Sequence, residues 1–250
     1  VGSEMCIRDS NKGAVVEVNS ETDFVAKNDM FQEYVADAAL VALMHNGEVC
    51  DMKTFQCPKV HKSFEERLTD LIAKIGENMN LRRAAMLEVS NGVIASYVHN
   101  ACKPNLGKIG VLVALESNGD KAKLQELGKH IAMHVAASNP QFLTIADVDQ
   151  ASIDHEKAIF SEQAKASGKP ENIIEKMVEG RIKKYFDEVV LEEQAYIMDP
   201  DKKVKQIVAD AAKEMGADIK LKAFVCFRLG EGLEKRNEDF AAEVASQLKK

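Results

Sequence analysis

The sequence is short of cysteine, of positive charge, of long apolar runs and of any phosphate-binding signature. Its five cysteines (Cys6, Cys50, Cys57, Cys102 and Cys226) form an odd, unpatterned set. That argues against a disulfide framework and suits a reducing compartment. Lysine and arginine number 33 against 40 aspartates and glutamates, a net charge of −7. A chain of that balance is a poor non-specific binder of nucleic acid or of an anionic membrane. No apolar run approaches the ~20 residues of a membrane span. Residues 1–10 lack the basic and apolar stretches of a signal peptide. A GxxxxGK loop, a GxGxxG opening a helix after a strand and a GxSxG elbow are all absent, so nothing resembles a nucleotide site.

What is present is core-forming sequence with readable punctuation. Of 250 residues, 46% are hydrophobic and 29% charged, which predicts one large or two small soluble units with sizeable cores. Residues 1–12 read as a leader outside the fold, frayed or foreign, and Val15–Val18 as the first strand. Ser20 and Asp23 have capping-box-like spacing. Asn28 can cap a helix with the apolar stripe Phe31, Val35, Ala38 and Ala42, which Asn46-Gly47 stops. Residues 46–62 look like a loop. Ser63 with Glu66 is a cleaner capping box, followed by Leu68, Leu71, Ile72 and Ile75 and by Gly76 as C-terminal cap.

The period then changes from about 3.6 to about 2. Residues 81–89 and 93–99 read as strands joined in a hairpin through Asn91-Gly92, with a third strand along Ile109, Val111, Val113 and Leu115. The second half repeats the theme. One helix carries Leu124, Leu127, Ile131 and Val135, and another Val204 to Met215 ends at Gly216. A strand from Ile219 to Phe227 and a last amphipathic helix with Phe240, Val244 and Leu248 follow. Between them, residues 150–195 are charged, with a narrow seam of Ile174, Val178, Ile182, Tyr185 and Val189, and read as a projecting antiparallel helical hairpin. The expected fold is α+β: two subdomains with three-stranded antiparallel sheets packed on helices, plus that inserted hairpin. The expected division is 13–120 for the first subdomain and 121–149 with 196–235 for the second. Residues 150–195 are then an oligomerisation or partner arm, and 236–250 a C-terminal helical module.

Chemistry is scarce. Cys50 and Cys57, near His45 and His61, lack the tight spacing of a structural zinc knuckle and read as incidental. His130 and His134 lie at i, i+4, a spacing that can present two imidazoles to one zinc. The glutamate a metalloprotease needs directly after the first histidine is here Ile131. A zinc hydrolase is therefore a rival reading, and no metal is expected. Lys202, Lys203 and Lys205 read as a solvated helix face, since no aromatic interleaves with them. An RNA-binding translation protein is the other rival. One stretch stands out: Thr22-Asp23-Phe24-Val25-Ala26-Lys27-Asn28 sets a large ring beside a carboxylate just after a strand. Either Phe24 is core and Asp23 a helix cap, or the pair is an exposed wedge of the kind that dominates interface energetics.

The stretch Glu17-Val18-Asn19-Ser20-Glu21-Thr22-Asp23-Phe24-Val25-Ala26-Lys27-Asn28 resembles the signature of bacterial elongation factor Ts. The likeness continues in Lys74 to Arg83 (KIGENMNLRR), His130 to Ser138 (HIAMHVAAS), Gly168-Lys169-Pro170 with Glu175 to Arg181 (EKMVEGR), and Asp239 to Val244 (DFAAEV). These blocks fall in the family's order and cover about residues 13–250. Family members normally begin with a small three-helix domain resembling a ubiquitin-associated domain. Nothing here matches it, and residues 1–10 stand in its place. The stretches before Pro104-Asn105-Leu106-Gly107 and over 46–62 look longer than usual.

The resemblance implies a translation factor that makes no bond chemistry, needs no cofactor of its own and promotes GDP release from elongation factor Tu. It implies the two α+β subdomains and the hairpin. By similarity, Asp23 and Phe24, flanked by Thr22 and Val25, intrude beside the partner's nucleotide and disturb its magnesium. Ile75, Gly76 and His99 match further contacts, and the helix bearing Asp239, Phe240 and Val244 matches the module that lies on the GTPase. A homodimer through the hairpin is a further expectation; no specific nucleic acid and no membrane are expected.

Overall fold

The architecture follows from strands whose two faces are both apolar, which therefore need cover on both sides. The structure is a computed structural model and describes residues 2–8, 11–57, 61–165 and 170–233. In chain order the main elements are β1 (Gly2–Arg8), β2 (Lys12–Ser20), α1 (Asp29–Met44), α2 (Val49–Thr54), β3 (Gln56–Cys57), β4 (Lys62–Ser63), α3 (Phe64–Ile75), β5 (Met79–Glu88), β6 (Gly92–His99), β7 (Leu106–Gly107) and β8 (Ile109–Ser117). The chain continues with α4 (Lys121–Ser138), α5 (Gln150–Lys165), α6 (Glu171–Val189), β9 (Ala195–Tyr196), β10 (Asp199–Lys203), α7 (Val204–Met215) and β11 (Ile219–Arg228). This is an α+β fold with antiparallel sheets. One sheet has the order β5-β2-β1-β7 and the other β11-β8-β6, with two small ribbons, β3-β4 and β9-β10, beside them.

Alternation along two strands shows how the layers stack. In β2, Ala14, Val16 and Val18 enter a core with Phe31, Val35 and Ala38 of α1 and Phe64 and Leu68 of α3. In β8, Val111, Val113 and Leu115 enter a second core with Leu124, Ile131 and Val135 of α4 and Val204 of α7. The opposite faces meet each other: Val15 of β2 packs with Ile94 of β6, Leu112 and Ala114 of β8 and Phe227 of β11. Two sheets thus lie back to back, each covered outside by helices. Closeness is extreme where α4 crosses β6: a Cβ on Gly128 would sit 2.4 Å from the Ala95 side chain.

Several punctuation marks act as expected. Asn28 accepts from the Met30 and Phe31 amides, Ser63 and Glu66 form a reciprocal capping box, and Gly76 and Gly216 close α3 and α7 in the left-handed region. Three expectations are corrected. First, residues 81–89 and 93–99 are not a hairpin: β5 pairs with β2, and β6 pairs with β8. The type I′ turn that Asn-Gly favours needs positive φ at both central residues, and type II′ at the first; Gly92 has φ 139°, but Asn91 is not among the positive-φ residues. β6 and β8 therefore share a sheet with β11, while β7 between them joins the first sheet.

Second, the first sheet has four strands rather than three, because part of the 1–12 leader joins it. β2 is left with one open edge by β5, and β1 fills it in antiparallel register from Gly2 opposite Val18 to Arg8 opposite Lys12. An unpaired strand edge is a template for such pairing. Third, the 46–62 stretch holds α2, whose Met52 is fully buried, and the β3-β4 ribbon.

In the inserted segment, Phe160 lies beneath the Arg181 guanidinium while Ser161 and Lys165 lie beside Ile174 and Glu175, so α5 and α6 run antiparallel. Among their described residues only Ala164 and Ile182 are buried, a seam as narrow as the sequence pattern suggests. The base of the hairpin is different. Val190 and Leu191 are fully buried, and the Gln141 and Phe142 amides donate to the Val189 carbonyl.

Candidate partner interface

The turn after β2 is built from both ends. The Ser20 hydroxyl donates to the Thr22 carbonyl at 3.1 Å, and the Thr22 amide and hydroxyl both donate to the Glu77 carboxylate, at 3.0 and 2.6 Å. Beyond it Val25 is buried and opens a single 3-10 turn to Lys27. The Gln32 side-chain amide donates to the Ala26 carbonyl at 2.7 Å, and Asn28 caps α1. Phe24 stands between these anchors with 82% of its surface exposed, far above the 51% of the next most exposed large apolar side chains described. A core phenylalanine is normally hidden. Of the two readings of the pair, burial of Phe24 is overturned, because Val25 takes the inward position and turns its neighbour out.

Asp23 is exposed too and caps nothing: the 3-10 turn has no side-chain cap, and the Ser20 hydroxyl is spent on Thr22. Its carboxylate lies 3.9 Å from the Lys108 ammonium, a surface pair of small energetic weight. Lys108 also donates its amide to the His99 carbonyl at 3.1 Å, and so stands between the wedge and the end of β6. His99 is exposed, with its Nδ1 3.1 Å from the Tyr97 hydroxyl. Strand alternation alone would half-bury it beside the fully buried Val93 and Ala95. The strand runs past the edge of the helix layer, so exposure rises from Ala95 through Tyr97 to His99.

Ile75 is half-buried against the first core. Gly76, at φ 81°, has nothing within 4 Å of the space a Cβ would occupy. The residue after it, Glu77, holds Thr22. The structure therefore gathers Thr22, Asp23, Phe24 and Val25 with Ile75 and Gly76 through Glu77, and with His99 through Lys108. Asp239, Phe240 and Val244 lie outside the described residues. Sequence reasoning missed Glu77 and Lys108 as site residues. Glu77 carried one signal, a carboxylate directly after a helix-ending glycine; Lys108 carried none.

The rival sites look different in three dimensions. His134 is fully buried. Its Nδ1 accepts from the Ile197 amide at 3.2 Å, which leaves Nε2 as the donor to the Gln194 side-chain carbonyl at 2.8 Å. Burial holds the ring below the ordinary histidine pKa, although the Gln194 contact opposes this. Both nitrogens are committed, so His134 has no lone pair left for zinc. Among the described residues no group of three or more His, Cys, Asp or Glu is placed to hold a metal. Lys202 pairs with Asp210, Lys203 with Asp187 and Glu193, and Lys205 with Glu193, as a solvated, charge-balanced surface does. No helix among the described residues is long and apolar enough to cross a membrane.

Residues 21–231 match the family model described as Elongation factor TS. The chain is 56% identical over 236 residues to Elongation factor Ts of Paramagnetospirillum magneticum, covering 94% of this chain and 76% of that protein. It is 56% identical over 239 residues to Elongation factor Ts of Rhodospirillum rubrum, with 95% and 77% covered. It is 55% identical over 231 residues to that of Caulobacter vibrioides, with 92% and 74% covered. The relatives matched are translation elongation factors. The chain belongs to the elongation factor Ts family.

Proposed function

We infer that this chain is a cytoplasmic guanine-nucleotide exchange factor that promotes GDP release from elongation factor Tu. One observation carries the reading: a phenylalanine ring held 82% exposed on a turn braced by the Thr22–Glu77 contacts and the buried Val25. A ring in water gains roughly 1.5–3 kcal/mol when a partner buries it. Such a gain contributes to exchange if it is larger in the nucleotide-free GTPase than in the GDP form. By reciprocity the bound factor then weakens GDP by the same ratio.

The work is done by contact rather than by bond-making. Phe24 enters the partner beside its nucleotide site and Asp23 follows it. Mg²⁺ demands near-octahedral oxygen ligation, so a small shift of its ligands in the partner suffices to release it. Thr22 and Val25 fix the turn, Ile75, Gly76 and His99 widen the contact, and the segment with Asp239, Phe240 and Val244 forms a second contact on the GTPase. The α5–α6 hairpin is an accessory arm for a partner or a second copy.

Release of fluorescent GDP from elongation factor Tu, followed with and without this chain, tests the reading. Acceleration that saturates with the chain and collapses in Phe24→Ala supports it; an unchanged release rate with well-folded parent protein overturns it.

A further inference from the structure

The loop that follows β6 holds one charged residue rigidly beside the wedge. It turns at Pro104-Asn105: the Leu106 amide donates to the Lys103 carbonyl at 3.0 Å, Asn105 has φ 64°, and Leu106 is buried in the first core. Proline followed by a positive-φ asparagine is the pattern of a type II turn. Just after it, a Cβ on Gly107 would sit 2.5 Å from the Val98 side chain and 2.7 Å from the His99 carbonyl oxygen. Lys108 comes next. Its amide donates to the His99 carbonyl at 3.1 Å and its carbonyl accepts from the Leu229 amide at 3.0 Å, so its backbone is fixed between the ends of β6 and β11.

The Lys108 side chain reaches toward the wedge. Its ammonium lies 3.9 Å from the Asp23 carboxylate, a loose pair with 56% of the lysine and 74% of the aspartate side chain exposed. Lys103 makes a matching pair with Asp29 at 3.1 Å. In the free chain each lysine thus has its own aspartate. On the exchange reading, on which this inference rests, that balance fails at one position only. Asp23 follows Phe24 into the GTPase, which draws its carboxylate away from Lys108. Lys108 lies between that wedge and His99, both of which meet the partner, and so is covered with them. An ammonium covered without a counter-charge is costly. Nothing in that reading moves Asp29, so Lys103 keeps its partner.

We propose that Lys108 is an interface residue whose ammonium meets a carboxylate on the surface of the GTPase once Asp23 has entered it. The sign of the linkage selects a carboxylate of the protein over a phosphate of the nucleotide. A cation paired with GDP would tighten GDP in the complex, whereas an exchange factor must loosen it. A carboxylate of the GTPase is there with or without nucleotide. Pairing with it strengthens capture and leaves the step that Phe24 drives unchanged.

The test is GDP release from elongation factor Tu, read as saturating rate and half-saturating concentration of the full chain. Lys108→Met keeps the backbone bonds to His99 and Leu229, so the unfolding midpoint should stay at the parent value. It should raise the half-saturating concentration about tenfold and leave the saturating rate within about twofold. Lys108→Glu should be about tenfold worse again, because like charges then face each other. Equal losses in the two variants would mean an uncharged acceptor and overturn the carboxylate. Lys103→Met makes the same change in net charge and should stay within about twofold of the parent; a loss matching that of Lys108→Met would show a general charge effect and overturn the pairing. In an Asp23→Ala background, where the internal aspartate is gone, both Lys108 losses should persist. Their disappearance there would make Lys108 merely the mate of Asp23 and overturn the proposal. A saturating rate that rises in Lys108→Met would mark a phosphate as the ligand and overturn it as well. Parent protein that leaves GDP release unchanged overturns the exchange reading and the Lys108 contact together; an active parent with a parent-like Lys108→Met overturns the contact alone.

Discussion

Thr22 and Glu77, 55 residues apart in sequence, are joined by two hydrogen bonds to one carboxylate, at 3.0 and 2.6 Å. The bond ties the turn after β2 to the residue that follows the C-cap of α3. Glu77→Ala removes both acceptors from partly water-accessible donors, so folding stability should fall by only about 1 kcal/mol. Exchange at saturating protein should fall further than that loss explains, because the turn no longer holds Phe24 in one place. Chemical unfolding and GDP release on one preparation check it; a parent-like exchange rate would show that the brace is dispensable.

Phe24→Ala separates surface from core. A buried phenylalanine would cost roughly 3–5 kcal/mol on truncation. At 82% exposure the change should be below about 1 kcal/mol, while stimulated GDP release slows about tenfold or more from the lost burial in the complex. Asp23→Ala should leave stability nearly untouched, since the carboxylate caps no helix and its Lys108 partner is a surface pair.

Acid should act through His134. Burial lowers its folded-state pKa below the ordinary value of 6.5. The unfolded chain then binds the proton that the folded chain refuses, so stability is full above about pH 6.5 and declines as pH falls below it. The slope from this group is at most about 1.4 kcal/mol per pH unit. Urea unfolding at neutral and mildly acidic pH should show that slope, and it should flatten in His134→Gln. Gln194→Ala, which strands the Nε2 proton inside the protein, should cost about 1–3 kcal/mol at neutral pH.

The hairpin can be shortened but not cut at its roots. Replacing residues 153–184 by a short Gly-Ser linker should leave the second core folded, because the seam buries only Ala164 and Ile182 among the described residues. Removing all of 150–195 also takes out the fully buried Val190 and Leu191 and the Gln194 side chain that bonds His134. That longer deletion should abolish cooperative thermal unfolding of the second half.

Local signals in the sequence were legible where local physics decides the outcome. The Ser63–Glu66 box, the Asn28 cap and the Gly76 and Gly216 ends depend on residues within one helical turn, and each is found where spacing put it. The Asn91-Gly92 dipeptide misled for the complementary reason. A hairpin turn competes with every other edge available to its two strands, and β2 and β8 offered longer ones. Glu77 and Lys108 were illegible because their partners, Thr22 and Asp23, lie far away in sequence. Phe24 was ambiguous in sequence, as an apolar letter beside another; only the inward turn of Val25 shows which of the two faces water.

The back-to-back sheets also bear on how the chain reaches this arrangement. Ala14, Val16 and Val18 go to one layer, Val15 and Glu17 to the other. A one-residue slip of β2 against its neighbours would exchange those destinations. For valine and alanine the exchange is nearly silent, since both layers are greasy. For Glu17 it is not: its charge would be driven among Phe31, Phe64 and Leu68 and away from the Gly230 amide that bonds it, a penalty of several kcal/mol. A single acidic side chain thus acts as a proofreader during folding, rejecting the shifted pairings that an all-hydrocarbon strand would tolerate.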